Sequence, residues 1–90
     1  SQLYADNCLI LGVIYRIEGK NDEAITEYGK VVSIQKQLNG ENSLQYANAL
    51  SSLGLLYKSV GKTSDAESAL LTSVNLYKQK GMESDVKYLM

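Results

Sequence analysis

Apolar residues fall along the chain in stripes with helical spacing. Leu3, Cys8, Leu11, Ile14 and Tyr15 share one face of a first helix. Ala24, Ile25, Tyr28, Val31, Val32, Ile34 and Leu38 form the stripe of a second. The pattern then returns, with Ala47, Leu50, Leu53, Leu56 and Tyr57 in a third helix and Ala66, Leu70, Val74 and Tyr77 in a fourth. No segment alternates with period two for long enough to make a strand, so an all-α chain without a sheet is expected. Glycine supplies the stops: Gly19 after the first helix, the Asn39-Gly40 pair after the second, Gly61 after the third and Gly81 after the fourth. Asn21, Asn42 (with Gln45 three residues on) and Thr63 read as N-caps. Asp22 and Glu23 suit the positive start of a helix, and Lys78 and Lys80 suit a negative end.

The second pair of helices repeats the first. Shifted by 42 residues the chain meets itself without gaps, with 12 identities in the 39 pairs from 1/43 to 39/81. Unrelated segments would share about two or three. The identities include Tyr4/Tyr46, Ala5/Ala47, Leu11/Leu53, Gly12/Gly54, Tyr15/Tyr57, Gly19/Gly61 and Ala24/Ala66. Val86 and Tyr88 match Leu44 and Tyr46, so a third copy is expected to start at Asp85. The expected organisation is one domain, 1–90, with repeat one at about 1–42, repeat two at about 43–84 and the start of a third at 85–90. About three repeats are usually needed for a stable stack, so further repeats, a capping helix or self-association are expected at both ends. The start at Ser1 fits a piece of a longer array.

These residues resemble the tetratricopeptide repeat. Its signature of leucine and a small residue, an aromatic, a turn glycine, an alanine and a later bulky residue stands as Leu11-Gly12, Tyr15, Gly19, Ala24 and Tyr28. It stands again as Leu53-Gly54, Tyr57, Gly61, Ala66 and Leu70. The glycines and alanines let paired helices approach closely, while the tyrosines and Leu70 fill the space around the contact. The resemblance implies a right-handed α-α superhelix of antiparallel helix pairs. The first helix of each pair would line a concave groove, through Asp6, Leu9, Val13, Arg16 and Ile17 in repeat one and Asn48, Ser51, Leu55, Lys58 and Ser59 in repeat two. Leu9, Val13, Ile17 and Leu55 would form an apolar strip there, and Arg16 with Lys58 a short positive ladder for an acidic peptide or helix. The 42-residue period is similar to that of kinesin light chains. Ser43-Leu44 stands where those repeats commonly have His-Pro, and Ser51-Ser52 where they often have two asparagines. The donors of a chaperone-tail carboxylate clamp are missing from the groove positions.

Composition narrows the function. Nine Lys+Arg against ten Asp+Glu leave a net charge of −1, without the positive surplus that nucleic acid or an anionic membrane surface requires. No apolar run nears the roughly 20 residues of a membrane span. There is no histidine, which removes the commonest general base and metal ligand. The single cysteine, Cys8, sits on the buried stripe and reads as a packed thiol in a reducing, intracellular, cytoplasmic setting. Gly61-Lys62-Thr63 imitates the end of a phosphate loop, but its helix-to-helix context and its twin Gly19-Lys20-Asn21 mark it as a repeat turn. The carboxylates of the second and fourth helices, Glu27 among them, read as dipole partners and solvated faces. Tyr4, Tyr46, Tyr88, Tyr15 and Tyr57 recur at repeat positions, as packing residues would. No catalytic residue, metal site or cofactor is expected. What remains is a non-catalytic protein-interaction scaffold, or alternatively a structural segment that shapes a larger assembly without a peptide ligand of its own.

Overall fold

The computed structural model describes residues 1–81, and they form four helices: α1 (Gln2–Ile17), α2 (Asn21–Asn39), α3 (Leu44–Ser59) and α4 (Thr63–Gln79). No strand occurs among the described residues. The third copy expected from Asp85 lies outside them. α1 packs on α2, α2 on α3 and α3 on α4, while α1 and α3 stand apart.

The two tight turns have one construction. Gly19 and Gly61 adopt φ of 79° and 85°, which only glycine enters without strain. This lets the Gly19 N–H reach Arg16 O and the Lys20 N–H reach Tyr15 O, the paired bonds of a Schellman motif; Gly61 and Lys62 repeat them onto Lys58 O and Tyr57 O. Lys20 and Lys62 are therefore the last residues of one motif and also the N-caps of α2 and α4, without a side-chain cap bond. This corrects the expected caps. Asn21 and Thr63 are already the first helical residues, because the turn leaves no residue between the two motifs. Asn42 is not a cap either: Ser43 takes that place, and its hydroxyl accepts from the Tyr46 N–H at 3.1 Å.

Gly12 and Gly54 set the spacing within each pair. A Cβ at Gly12 would lie 2.6 Å from Tyr28 Cδ1, and one at Gly54 would lie 2.7 Å from Leu70 Cγ. Three buried clusters follow the stack. Ala24, Tyr28, Leu53 and Leu56 form one; Ala47, Leu50, Ala69 and Leu76 another; Cys8, Val31 and Ala49 the third. Val32 packs against all three. Buried Ser73 adds a polar lock, donating from α4 to Ala47 O in α3 at 3.1 Å.

Burial departs from the expected stripes on one side of α1. Leu11 is 39% exposed and its counterpart Leu53 7%; Ile14 is 45% exposed and its counterpart Leu56 3%. Leu3 and Tyr4 are exposed as well, and so is Leu38 near the end of α2. The reason is the neighbour: α3 has α2 against this face, whereas nothing described lies against it in α1. Glu27 is also a correction. It is buried rather than solvated, pairs with Lys30 at 3.0 Å, and through that hydrogen bond holds the Lys30 ammonium above its ordinary pKa.

Candidate functional site

Because α1 and α3 stand apart over α2, a seam opens between them. Its first cavity, about 230 Å³, is walled by Gln2, Asp6 and Leu9 of α1 and by Gln45, Asn48 and Ser52 of α3. Tyr28, Val31 and Gln35 of α2 form its floor. A second cavity, about 400 Å³, continues toward the other end, where Arg16 and Asn21 face Leu55, Leu56 and Ser59. Tyr28 and Ser52 border both, so the two lie next to each other along the seam.

The first cavity is held by a one-way relay of side chains. Asn39 Nδ2 donates to Gln35 Oε1 at 2.7 Å, Gln35 Nε2 to Gln2 Oε1 at 3.1 Å, and Gln2 Nε2 to Asp6 Oδ1 at 2.9 Å. The relay satisfies the buried Gln35 on both sides and ties the start of α1 to the end of α2. Behind the α3 wall, the Tyr77 hydroxyl of α4 donates a short hydrogen bond to Asn48 Oδ1. That contact orients the Asn48 amide and leaves its Nδ2 as the donor group. The chemistry offered is a wall of carboxamides and one carboxylate above a floor in which Tyr28 and Val31 are joined by the Gln35 amide, with one guanidinium farther along. Such a surface suits main-chain amides together with an apolar side chain.

Of the residues placed in the groove on sequence grounds, Asp6, Leu9 and Asn48 border the first cavity and Arg16, Leu55 and Ser59 the second. Val13 is half-buried against the first core cluster, and Ile17 and Lys58 are exposed outside both cavities. Ser52, and not its neighbour Ser51, borders the groove. Sequence reasoning missed Gln2, Gln45 and Gln35. Gln2 and Gln45 stand four and three residues before Asp6 and Asn48, on the same helix faces, so helical spacing could have found them. Gln35 sits seven residues after Tyr28 on the buried stripe, where its polar side chain hid the pattern.

Among the described residues no group of three acidic, cysteine or histidine side chains is placed to hold a metal ion, and no helix is long and apolar enough to cross a membrane. Cys8 is a free thiol buried in the third cluster.

The paired Schellman turns and the glycine notches recur at one period, and the family model of the tetratricopeptide repeat matches residues 5–79. The chain belongs to the tetratricopeptide repeat family. No curated protein and no solved structure matches it. Within this tetratricopeptide repeat chain, Leu53-Gly54 and Tyr57 occupy the packed signature positions of the second copy, while Leu11 carries the same signature on an open face. Repeats of this family generally mediate protein–protein interaction.

Proposed function

We propose that the chain is a non-catalytic protein–protein interaction scaffold that holds a peptide segment or partner helix in the seam between α1 and α3. The observation that carries this reading is the succession of two cavities along one seam, both bordered by Tyr28 and Ser52, over a floor that α2 supplies. An extended segment can bond its main chain to the Asn48 amide and the glutamines while seating an apolar side chain against Leu9, Tyr28 and Val31. An acidic side chain in the ligand would meet Arg16 in the second cavity, with Lys58 adding attraction from outside it. The 42-residue period supports the kinesin-light-chain-like subtype, and the buried free thiol a reducing, cytoplasmic setting.

Selection of a phage-displayed random peptide library on the 90-residue chain tests the proposal. Binders are expected that lose at least tenfold in affinity on Leu9→Ala and on Asn48→Ala, with circular dichroism unchanged. A library yielding no such binder refutes it. A second reading, a structural segment of a longer solenoid, draws on the open outer face of α1, which a further repeat or another copy would cover.

A further inference from the structure

Charge divides the seam into two unlike ends. Of the residues that line its cavities, Asp6 in the first and Arg16 in the second alone are charged. Asp6 Oδ1 accepts only from a neutral donor, Gln2 Nε2, at 2.9 Å, and among the described residues no oppositely charged side chain pairs with Asp6 or Arg16. The opposite wall adds no charge to either cavity. Asn48 and Lys58 hold the α3 positions that match Asp6 and Arg16, and Lys58 stays outside the second cavity. Asp22 and Glu23, at the start of α2, border a separate cavity that they share with Lys20 and Lys62. Walls and floor all belong to α1, α2 and α3, so the two unlike ends are internal to the helix stack.

We infer that the seam selects an extended segment with unlike charges four residues apart: a Lys or Arg at Asp6, an Asp or Glu at Arg16, and an apolar residue midway. This names the ligand class of the seam and rests on the peptide-binding reading above. Spacing fixes the pattern. Asp6, Leu9 and Arg16 fall within about 80° of the α1 circumference, and Asp6 and Arg16 stand about 15 Å apart along its axis. An extended chain rises about 3.3 Å per residue and turns alternate side chains to one face. Its positions i and i+4 are then about 13 Å apart on the same face, and the long Arg16 side chain covers the remainder. A spacing of two residues spans only about 7 Å and one of six about 20 Å, so four is the same-face spacing that fits. Position i+2 falls between the charges, over Leu9, Tyr28 and Val31. A segment with like charges at both positions would set one of them against its own sign, at Asp6 if acidic and at Arg16 if basic.

Both residues are exposed, so their variants leave the core intact. The test is a phage library of the pattern charge-x-apolar-x-charge, each charged position Lys or Glu, selected on the 90-residue chain. Pairs of mixed sign should be enriched over Lys/Lys and Glu/Glu. Asp6→Lys should move the selection to Glu/Glu, and Arg16→Glu should move it to Lys/Lys. Fluorescence anisotropy with a synthetic mixed-sign binder measures each contact. Asp6→Asn keeps an acceptor for Gln2 and should weaken binding by about fivefold, the upper range for an exposed ion pair. It should leave unchanged the affinity of the same peptide with its Lys replaced by Gln, a difference that damage to the side-chain relay would not produce. Arg16→Gln should behave likewise toward the Glu of the peptide. Binders that need Leu9 and Asn48 but show no charge preference, or that keep one arrangement in every variant, overturn this inference and leave peptide binding standing. An empty patterned library beside a productive random one overturns it alone, and two empty libraries overturn both.

Discussion

Replacing Gly12 by alanine tests how closely α1 and α2 approach. In a helix interior the exchange alone stabilises by about 1 kcal/mol, because alanine loses less backbone freedom. Gly29 is the control: it is helical, and a Cβ there meets nothing within 4 Å. At Gly12 the added Cβ would stand 2.6 and 2.7 Å from two ring carbons of Tyr28 and 3.3 Å from Glu27 Cβ. Ordinary contact begins near 3.5 Å, so the ring must give by nearly an ångström. Tyr28 is buried between Ala24, Leu53 and Leu56 and has little room to do so. Overpacking of this kind costs about 1–3 kcal/mol. Gly29→Ala should therefore raise stability by about 0.5–1 kcal/mol, and Gly12→Ala should fall below Gly29→Ala by about 1–3 kcal/mol. Urea unfolding followed by circular dichroism measures both, with an unchanged slope confirming that stability alone has moved. Truncating Tyr28 should remove the penalty in a double-mutant cycle. Equal stability of the two alanine variants would refute the close-approach argument.

The duplicated leucines give a matched pair of truncations. Leu53→Ala should cost about 2–5 kcal/mol in the same urea experiment, while Leu11→Ala, at the equivalent but open position, should cost less than about 1 kcal/mol. Ser43→Ala should remove the bond to the Tyr46 N–H and about 1 kcal/mol, whereas Asn42→Ala and Thr63→Ala, which cap nothing, should leave the thermal midpoint nearly unchanged.

What the sequence alone determined is local and periodic. Helical spacing separated four helices, Gly19 and Gly61 marked turns that only a positive φ can close, the 42-residue self-match made Gly12 and Gly54 equivalent, and the resemblance to the tetratricopeptide repeat put them at the helix contacts. These depend on backbone conformation and on residues near in sequence. The caps were misplaced because a cap depends on where the preceding motif ends: Lys20 and Lys62 serve both helices and displace Asn21 and Thr63. Asp6, Leu9 and Asn48 could be placed on helix faces in advance. Their assembly with Gln2, Gln35 and Tyr28 into one wall and floor required knowing how far α1 stands from α3. The tertiary structure alone decided which of two equivalent residues is buried. Leu11 and Leu53 occupy the same place in the repeat, yet one faces solvent and the other the core, because burial depends on the neighbouring helix, and only α3 has α2 against that face.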